Sequence, residues 1–229
     1  MNKNIAVFLC DLTGIMAMPW RDAGYECYLF DAQHPSGLHW NDNLKMFTVG
    51  GFLKSTNDVF NIVDIRRVHF VFGFPECTDL AVSGSRHFYT KYMQNPDFQN
   101  EAMELVYLCR DIGQKAWAVW GLENPVSVIS SFWRKPDYSF HPFEYGGYLP
   151  ENDIHPIYPE YINARDAYPK KTCLWTSYDF VMPEKKPVAV DEGFSVQYKK
   201  LGGKSLKTKN IRSATPRGFA LAVFEANKK

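Results

Sequence analysis

Two apolar segments near the start of the chain, residues 4–11 and 26–31, have the length of buried β-strands, and both end in an aspartate. Between them lie Thr13-Gly14 and a helical segment, Ile15–Ala23, which we expect Gly24 to end. A strand, a helix and a second strand within roughly 30 residues form the pattern of a parallel crossover unit. This opening predicts an α/β fold in which the first two strands are neighbours in one sheet.

The alternation continues through the first half of the chain. The predicted elements are strands at 60–65 (FNIVDI), 68–74 (VHFVFGF) and 116–122, and an amphipathic helix at 96–113 that ends at Gly113. A loop or small hairpin containing a strand at Met46–Val49 is expected over 34–58. The pattern predicts a Rossmann-like, doubly wound and mostly parallel sheet with helices on both faces.

From residue 126 onward the periodic signal is weaker. Lys171–Trp175 predicts one more strand. Thr215–Asn227 predicts a closing helix, with Thr215 as its cap and Pro216 in its first position. A chain of 229 residues can bury one full core, so we expect a single domain over 1–229.

The composition excludes several classes of protein. A formal net charge of +1 gives no overall attraction for nucleic acid, so such binding needs a local patch. No apolar run reaches the roughly 20 residues of a membrane span, and the first residues do not resemble a signal peptide. The five cysteines form no C-x-x-C pair and the histidines have no metal-ligand spacing, so we expect a cytoplasmic protein without a metal.

Polar or reactive residues follow the predicted strands; they are Asp11, Asp31, Asp64, Cys77 and Glu123-Asn124. Because ligands of open α/β sheets bind at the carboxyl ends of the strands, this placement predicts a ligand site. Gly14 allows close approach of the backbone to a ligand, and Asp31 can accept hydrogen bonds from ribose hydroxyls. A plain strand-to-helix turn without a ligand is the alternative for the first of these segments.

Cys77 differs from the other four cysteines because it follows a strand and a proline. A thiol on such a turn is a candidate nucleophile, and a positive charge at Arg86 would favour its thiolate. Glu123, at the end of the next strand, can hydrogen-bond or protonate a heterocycle nitrogen. The alternatives are a small buried hydrophobic residue at Cys77 and an ordinary surface strand end at Glu123.

Taken together, these motifs resemble those of the DNA cytosine-C5 methyltransferases. Phe74-Pro75-Glu76-Cys77-Thr78 resembles their Pro-Cys nucleophile motif, and Glu123-Asn124-Pro125 resembles their Glu-Asn motif. Asp11-Leu12-Thr13-Gly14 resembles the first motif, which contacts S-adenosyl-L-methionine (AdoMet). Asp31 matches the acid that contacts the ribose, and Asp64 matches the acid near the adenine.

A closer resemblance is to small, mostly phage-encoded proteins that are usually labelled DNA methyltransferases. The shared motifs are C-T-x-L-x-x-S-G-x-R (Cys77–Arg86), E-N-P, K-K-T-C-L-W (Lys170–Trp175) and S-x-T-P-x-G-x-A (Ser213–Ala220). The chain departs from the larger family at Gly14-Ile15-Met16, where Gly-x-Gly is usual, and at Glu76, where a second proline is common. An irregular, aromatic- and proline-rich region at 130–175 and a short basic region at 185–213 stand in place of a full target-recognition domain.

The resemblance implies an AdoMet-dependent enzyme that methylates cytosine in DNA, in the host cytoplasm if the protein is phage-encoded. We expect catalysis from Cys77, Glu123, Asn124 and Arg86, and AdoMet contacts from Asp11, Thr13, Gly14, Asp31, Asp64 and Pro75. The basic tail, Lys199 to Arg217, would be a phosphate-contacting or merely solvated loop. A pyrimidine-nucleotide-modifying enzyme of the same fold, or a catalytically silent factor that binds DNA or protein, are the alternatives.

Overall fold

The computed structural model describes residues 4–190, 196–202 and 205–229. Seven strands form one mixed sheet in the order β3-β2-β1-β4-β5-β7-β6. The strands are β1 (Ile5–Leu9), β2 (Glu26–Asn41), β3 (Met46–Gly50), β4 (Val68–Gly73), β5 (Val119–Pro125), β6 (Tyr138–Phe140) and β7 (Thr172–Thr176). The core of the sheet is parallel, because β1 pairs in parallel with β2 and β4, and β4 with β5. The protein is therefore an α/β protein, and its sheet is compatible with a Rossmann-like fold.

The α-helices are α1 (Met18–Asp22), α2 (Asn57–Phe60), α3 (Phe88–Gln94), α4 (Phe98–Lys115), α5 (Ile129–Phe132), α6 (Val196–Lys200), α7 (Leu206–Ser213) and α8 (Arg217–Asn227). Where the sequence predicts one domain, the chain divides into two compact units. The first contains the described residues up to Ser139, together with Thr172–Phe180. The second contains Phe140–Lys171 and the described residues from Val181 onward.

The core of the first unit depends on strands that are buried on both faces. All five side chains of β1 are buried, as are the six residues of β4. This explains why both strands are continuous apolar runs in the sequence and not alternating ones. On one face the ring of Phe70 stacks on Trp20 with centroids 4.2 Å apart, and this contact holds α1 against the sheet.

The second strand is longer than predicted. β2 continues past Asp31 to Asn41, through residues that we expected to form a loop or hairpin, and the predicted strand at Met46–Val49 is confirmed as β3. Phe47 of β3 lies opposite Tyr28 in the first half of β2 and opposite Trp40 in its second half. Its ring contacts both of these side chains.

The predicted strand at 60–65 is wrong. The segment contains the end of α2 and leads into a 3-10 turn at Ile65–Arg67. Val59 and Val63, four residues apart, are both buried, which is a helical spacing and not the alternation of a strand. The carboxylate of Asp64 then accepts a hydrogen bond from Arg66 N–H at 3.1 Å and starts the 3-10 turn, as aspartate commonly does.

Several element boundaries also differ from the prediction. β5 begins at Val119 and ends at Pro125, three residues later than expected at each end, so Glu123 and Asn124 lie within the strand. α1 begins only at Met18, after a turn at Gly14–Ala17. The last helix begins at Arg217, with Pro216 and not Thr215 in the cap position.

The antiparallel strand β7 confirms the predicted strand at Lys171–Trp175, one residue further on. It pairs with β5, so that Asn124 lies opposite Cys173.

The second unit has its own aromatic core. The rings of Phe140 and Phe219 stack with centroids 3.9 Å apart, and Tyr145 packs edge-on against both. At the start of α8, the carboxylate of Asp166 accepts a hydrogen bond from Gly218 N–H at 2.8 Å. The carboxylate of Asp153 forms an ion pair with Arg217. These contacts explain why α8 begins where it does.

Within the basic tail, the structure shows a helix in place of part of the predicted loop. Ser205 Oγ accepts a hydrogen bond from Thr208 N–H at 3.2 Å and caps α7. Lys200 and Arg212 donate to backbone carbonyls of their own unit, at 2.9 and 2.8 Å. Lys204, which we predicted to contribute to the basic surface, lies outside the described residues.

Gly113 lies inside α4 and does not end the helix, contrary to the prediction. Glycine is present here because the helix passes close to Trp120 of β5 at this point. A Cβ at Gly113 would lie 2.5 Å from both Cβ and Cγ of Trp120. We predict that Gly113→Ala lowers the free energy of unfolding by about 1–3 kcal/mol through overpacking. This is opposite to the gain of about 1 kcal/mol expected for this change at an open helix position.

The measurement is urea unfolding of the two proteins, with Gln114→Ala at the exposed next position of the same helix as the control. Gln114→Ala should change the free energy of unfolding by less than about 0.5 kcal/mol. A stabilised Gly113→Ala protein would contradict the close packing of α4 on Trp120.

Candidate active site

The parallel strands bring most of the predicted site residues to one edge of the sheet. Leu9 at the end of β1 lies opposite Phe30 of β2 and Gly73 of β4, and Gly73 lies opposite Leu122 of β5. The residues that follow these positions therefore share the carboxyl edge of the sheet; they are Asp11, Asp31, Pro75 to Cys77, and Glu123-Asn124. This is the edge at which open α/β sheets bind their ligands.

The turn after β1 is organised by the side chain of Asp11. Its Oδ1 accepts hydrogen bonds from the N–H groups of Thr13 and Gly14 at 3.0 and 2.8 Å, and from the Thr13 hydroxyl at 3.2 Å. Gly14 has a φ of +65°, and a Cβ at this residue would lie 2.9 Å from Leu29 Cδ1. Both the left-handed turn and the close packing on β2 therefore require glycine here.

Burial changes the proton affinity of Asp11. Desolvation, with a smaller contribution from the nearby charge of Asp31, raises the pKa of Asp11 to about 6, although the hydrogen bonds from Gly14 and Thr13 act in the opposite direction. Its second oxygen, Oδ2, is buried and has no hydrogen-bond partner among the residues that the structure describes. The backbone carbonyl of Asp11 accepts a hydrogen bond from His34 Nε2 at 3.1 Å, which ties the bend of β2 to the first turn.

The segment that carries Cys77 is bonded directly to the end of β5. Asn124 is 1% exposed and donates from Nδ2 to the carbonyl oxygen of Pro75 at 2.9 Å. Its Oδ1 is buried and lacks a hydrogen-bond partner within the described part of the chain. Glu123, the residue before it, lies opposite Leu174 of β7. One buried amide therefore fixes the Pro75 backbone relative to the strand that carries Glu123.

A second tie joins the two segments a few residues further along. Ala81 and Ser127 form an isolated antiparallel bridge, and the flanking N–H groups of Val82 and Val128 each donate across it at 2.9 Å. The hydroxyl oxygen of Ser127 is buried, with no hydrogen-bond partner in the described residues. The segment from Pro75 to Ala81, which contains Cys77, is thus held at both of its ends against residues 124–127.

Cys77 lies between these two ties. Its carbonyl oxygen accepts hydrogen bonds from Leu80 and Ala81 N–H at 3.0 and 2.8 Å, so the backbone turns immediately after the thiol. The residue is partly exposed and is not in a disulfide. A partly exposed thiol on a braced turn is the placement expected of a nucleophile and not of a packed core residue.

The charges near Cys77 differ from those expected. The carboxylate of Glu76 accepts a hydrogen bond from the Thr78 hydroxyl at 2.6 Å. Arg86 donates from Nε to His87 at 3.1 Å on the exposed surface. The cation that reaches the Cys77 loop is Lys91, whose ammonium donates to the Thr78 carbonyl at 3.2 Å and pairs with Asp79. Lys91 therefore contacts this loop directly, whereas Arg86 contacts His87.

Asp64 does not join the other predicted site residues. It lies before β4, at the amino edge of the sheet, and forms an ion pair with Arg66 at 3.0 Å. The neighbouring Arg67 donates to Asn4, directly before β1, at 2.9 Å, which confirms the position at that edge. The proposed contact of Asp64 with the adenine depended on a strand at 60–65, and this strand is absent.

Sequence reasoning missed three residues of this edge: His34, Ser127 and Lys91. His34 comes three residues after the acid that was expected to end β2, and only the unexpected bend of that strand turns it back to Asp11. Ser127 and Lys91 are ordinary residue types in segments without periodicity. Their roles depend on pairings between distant parts of the chain that no local pattern indicates.

The predicted AdoMet contacts include residues at the ends of the first two strands. Asp31 is partly exposed at the end of β2, where a carboxylate can accept hydrogen bonds from ribose hydroxyls, and its Oδ1 holds Gln33 N–H at 2.8 Å. Gly14 is buried, and a Cβ there would meet Leu29 and Met46 of the same unit. Asp11 holds the turn through its Oδ1.

Comparison with models of known protein families and with curated proteins finds no match for this chain. Within the described residues, no group of three or more histidine, cysteine, aspartate or glutamate side chains could hold a metal ion. None of the described helices is long and apolar enough to cross a membrane.

The bond between Asn124 and Pro75 can be tested by removing the amide. We predict that Asn124→Ala lowers the free energy of unfolding by about 1–3 kcal/mol, because a buried carbonyl loses its donor. Hydrogen exchange of the amides at 76–82 should become faster in the same variant. Asn100→Ala, on the exposed surface of α4, is the control and should change neither quantity. Unchanged exchange at 76–82 would show that another contact holds the loop.

The raised pKa of Asp11 predicts a pH dependence of stability. The folded chain holds this proton more tightly than the unfolded chain, so Asp11 contributes stability below about pH 4 that is lost as the pH rises through about 6. Between about pH 5 and 7.5, wild-type protein should lose about 1 kcal/mol more unfolding free energy than Asp11→Asn. Urea unfolding at both pH values measures this, with Glu104→Gln on the exposed face of α4 as control. Parallel pH profiles for wild type and Asp11→Asn would refute it.

Proposed function

We propose that the chain is an AdoMet-dependent cytosine-C5 methyltransferase that acts on DNA through a covalent adduct at Cys77. The observation that carries this proposal is the hydrogen bond from Asn124 to the Pro75 carbonyl, at 2.9 Å. It joins the segment that carries Cys77 to the strand that carries Glu123, which supports a shared role for the two residues. The resemblance of the Pro-Cys and Glu-Asn motifs to those of the cytosine-C5 methyltransferases supports the same assignment.

The chemistry requires a nucleophile that attacks C6 of the pyrimidine ring. The Cys77 thiolate forms the S–C6 bond, and the C5–C6 double-bond electrons become available at C5. Lys91 donates to the Thr78 carbonyl, next to the residue that carries the thiol, and its charge is paired with Asp79. Glu76 accepts a hydrogen bond from the Thr78 hydroxyl in the same loop.

Glu123 has the complementary role on the other side of the ring. Its carboxyl group hydrogen-bonds or protonates N3 of the cytosine, so that negative charge does not accumulate on the ring when sulfur adds. Asn124 acts through the backbone as a positioning residue. Asp31 and the turn at Gly14 would hold AdoMet, which would supply an electrophilic methyl group to C5 and leave as S-adenosylhomocysteine. Loss of the C5 proton to a base and departure of the Cys77 thiolate restore the aromatic ring.

The target cytosine must leave any base-paired stack to meet both groups at once. Addition at C6 needs the thiolate above the ring plane, whereas the contact with N3 lies at the ring edge. A base inside a duplex cannot satisfy both requirements, so the reaction needs a flipped or an unpaired base.

We predict that Cys77→Ser abolishes methyl transfer to a cytosine-containing oligonucleotide while AdoMet binding is retained, because serine at this position is a far weaker nucleophile. The measurement is transfer of a radiolabelled methyl group, with binding followed by calorimetry. Ser83→Ala, an exposed change in the same loop, is the control and should transfer at the wild-type rate. Full activity of Cys77→Ser would exclude the adduct. AdoMet binding without transfer to oligonucleotide, but with transfer to a free cytidine nucleotide, would identify a nucleotide-modifying enzyme instead.

A further inference from the structure

The loop after Cys77 carries a surface that the proposed reaction does not use. α3 shows three large apolar side chains to solvent: Tyr89 is 75% exposed, Tyr92 54% and Met93 66%. These residues are spaced by three and four positions, so they share one face of the helix. We define this set, Tyr89, Tyr92 and Met93, as the α3 face.

Contacts on the other side of α3 hold the helix in place, so the α3 face points to solvent. Phe88 packs against the buried Phe98 of α4 with ring centroids 5.8 Å apart. Lys91 reaches back to the Thr78 carbonyl at 3.2 Å and to Asp79. The first contact fixes α3 to α4 and the second fixes it to the loop that carries Cys77, and both leave the α3 face exposed.

Tyrosine is suited to stacking because its ring is apolar while its hydroxyl is compatible with water. No acidic residue occurs between Asp79 and Asp97, whereas Arg86 and Lys91 both lie in that segment. The segment is therefore positively charged and aromatic, in a chain whose formal net charge is only +1. Aromatic rings beside a modest positive charge form the usual surface for unpaired bases, which stack on the rings while their phosphates face the cations.

We propose that the α3 face is a stacking platform for unpaired bases, and that the chain binds single-stranded DNA in preference to duplex. This inference rests on the proposed function, since it names the form in which the target cytosine reaches Cys77. Bases that flank the target stack on Tyr89 and Tyr92. The remaining flipping cost is small, because a single strand has no base pair to break.

Stacking also determines how binding depends on salt. Arg86 is exposed in the segment before α3, whereas Lys91 points to the other side of the helix and pairs with Asp79. Few counterions are then released, so the logarithm of the binding constant should fall with the logarithm of salt concentration with a slope no steeper than about −2. A phosphate-dominated site on the basic tail would give a steeper slope.

The test is fluorescence anisotropy with a labelled single-stranded oligonucleotide of about 12 nucleotides containing one cytosine, and with the corresponding duplex. Tyr89→Ala combined with Tyr92→Ala should weaken single-strand binding by about 30-fold or more. The paired Phe substitutions should restore it, because they retain the rings. Tyr178→Ala is the matched control: this tyrosine is fully exposed but lies past the end of β7, at the amino edge of the sheet. It should bind like wild type.

Binding is measured without AdoMet, so it does not depend on the methyl-transfer reaction. Loss in the Ala pair, recovery in the Phe pair and weaker binding of duplex would support the platform, even if methyl transfer were absent and the proposed function failed. Unchanged affinity in the Ala pair, or duplex binding as tight as single-strand binding, would overturn it while leaving the Cys77 reaction intact. Concentration-dependent self-association that the Ala pair removes, with no oligonucleotide binding, would also overturn it in favour of a protein interface.

Discussion

The parallel alignment of β2, β1, β4 and β5 is the constraint on which the candidate site depends. Parallel strands end at the same edge of a sheet, so the residues after them meet there whatever their separation in sequence. Helix α4 packs closely on two of these strands. Gly113 allows the helix to approach Trp120 of β5, and Gly73 of β4 allows the approach of Cys109. A side chain at either glycine would displace the helix or the strand, and with it one of the loops that form the site.

Three polar atoms at the carboxyl edge, Asp11 Oδ2, Asn124 Oδ1 and Ser127 Oγ, are buried without hydrogen-bond partners among the described residues. Each such atom costs free energy relative to a paired one. Atoms of the same kind also occur in the second unit, for example in His155 and Asp166, so they do not by themselves mark a catalytic region. Burial also raises the pKa of Asp11.

Much of the first unit could be predicted from its sequence, because its strands are buried on both faces and read as unbroken apolar runs. β1, β4 and α4 have such strong patterns that only their ends differed from the prediction. The strand predicted at 60–65 was wrong because a short apolar run has no unique period. Only the folded chain shows that Val59 and Val63, four residues apart, are the buried pair. Asp64 was therefore predicted at the end of a strand, whereas it lies at the amino edge of the sheet, away from the other site residues.

Other features depend on contacts that no local pattern contains. The three-residue shift of β5 follows from its pairing with β7, where Asn124 lies opposite Cys173. Lys91 reaches the Cys77 loop from a helix that starts after it, whereas Arg86, closer in sequence, contacts His87. The second unit combines segments on both sides of β7, so its aromatic core around Phe219 could not be recognised as a separate unit from the order of residues.

The most direct test of the account is calorimetric titration of the purified chain with AdoMet, and then with S-adenosylhomocysteine. We expect micromolar binding of both ligands. Asp31→Ala should weaken their affinity about 10-fold or more, because the ribose hydroxyls lose a charged acceptor. Asp64→Ala, at the opposite edge of the sheet, should bind like the unmodified chain. Absence of binding at millimolar ligand, or weakening by Asp64→Ala in place of Asp31→Ala, would contradict a cofactor site at the carboxyl edge.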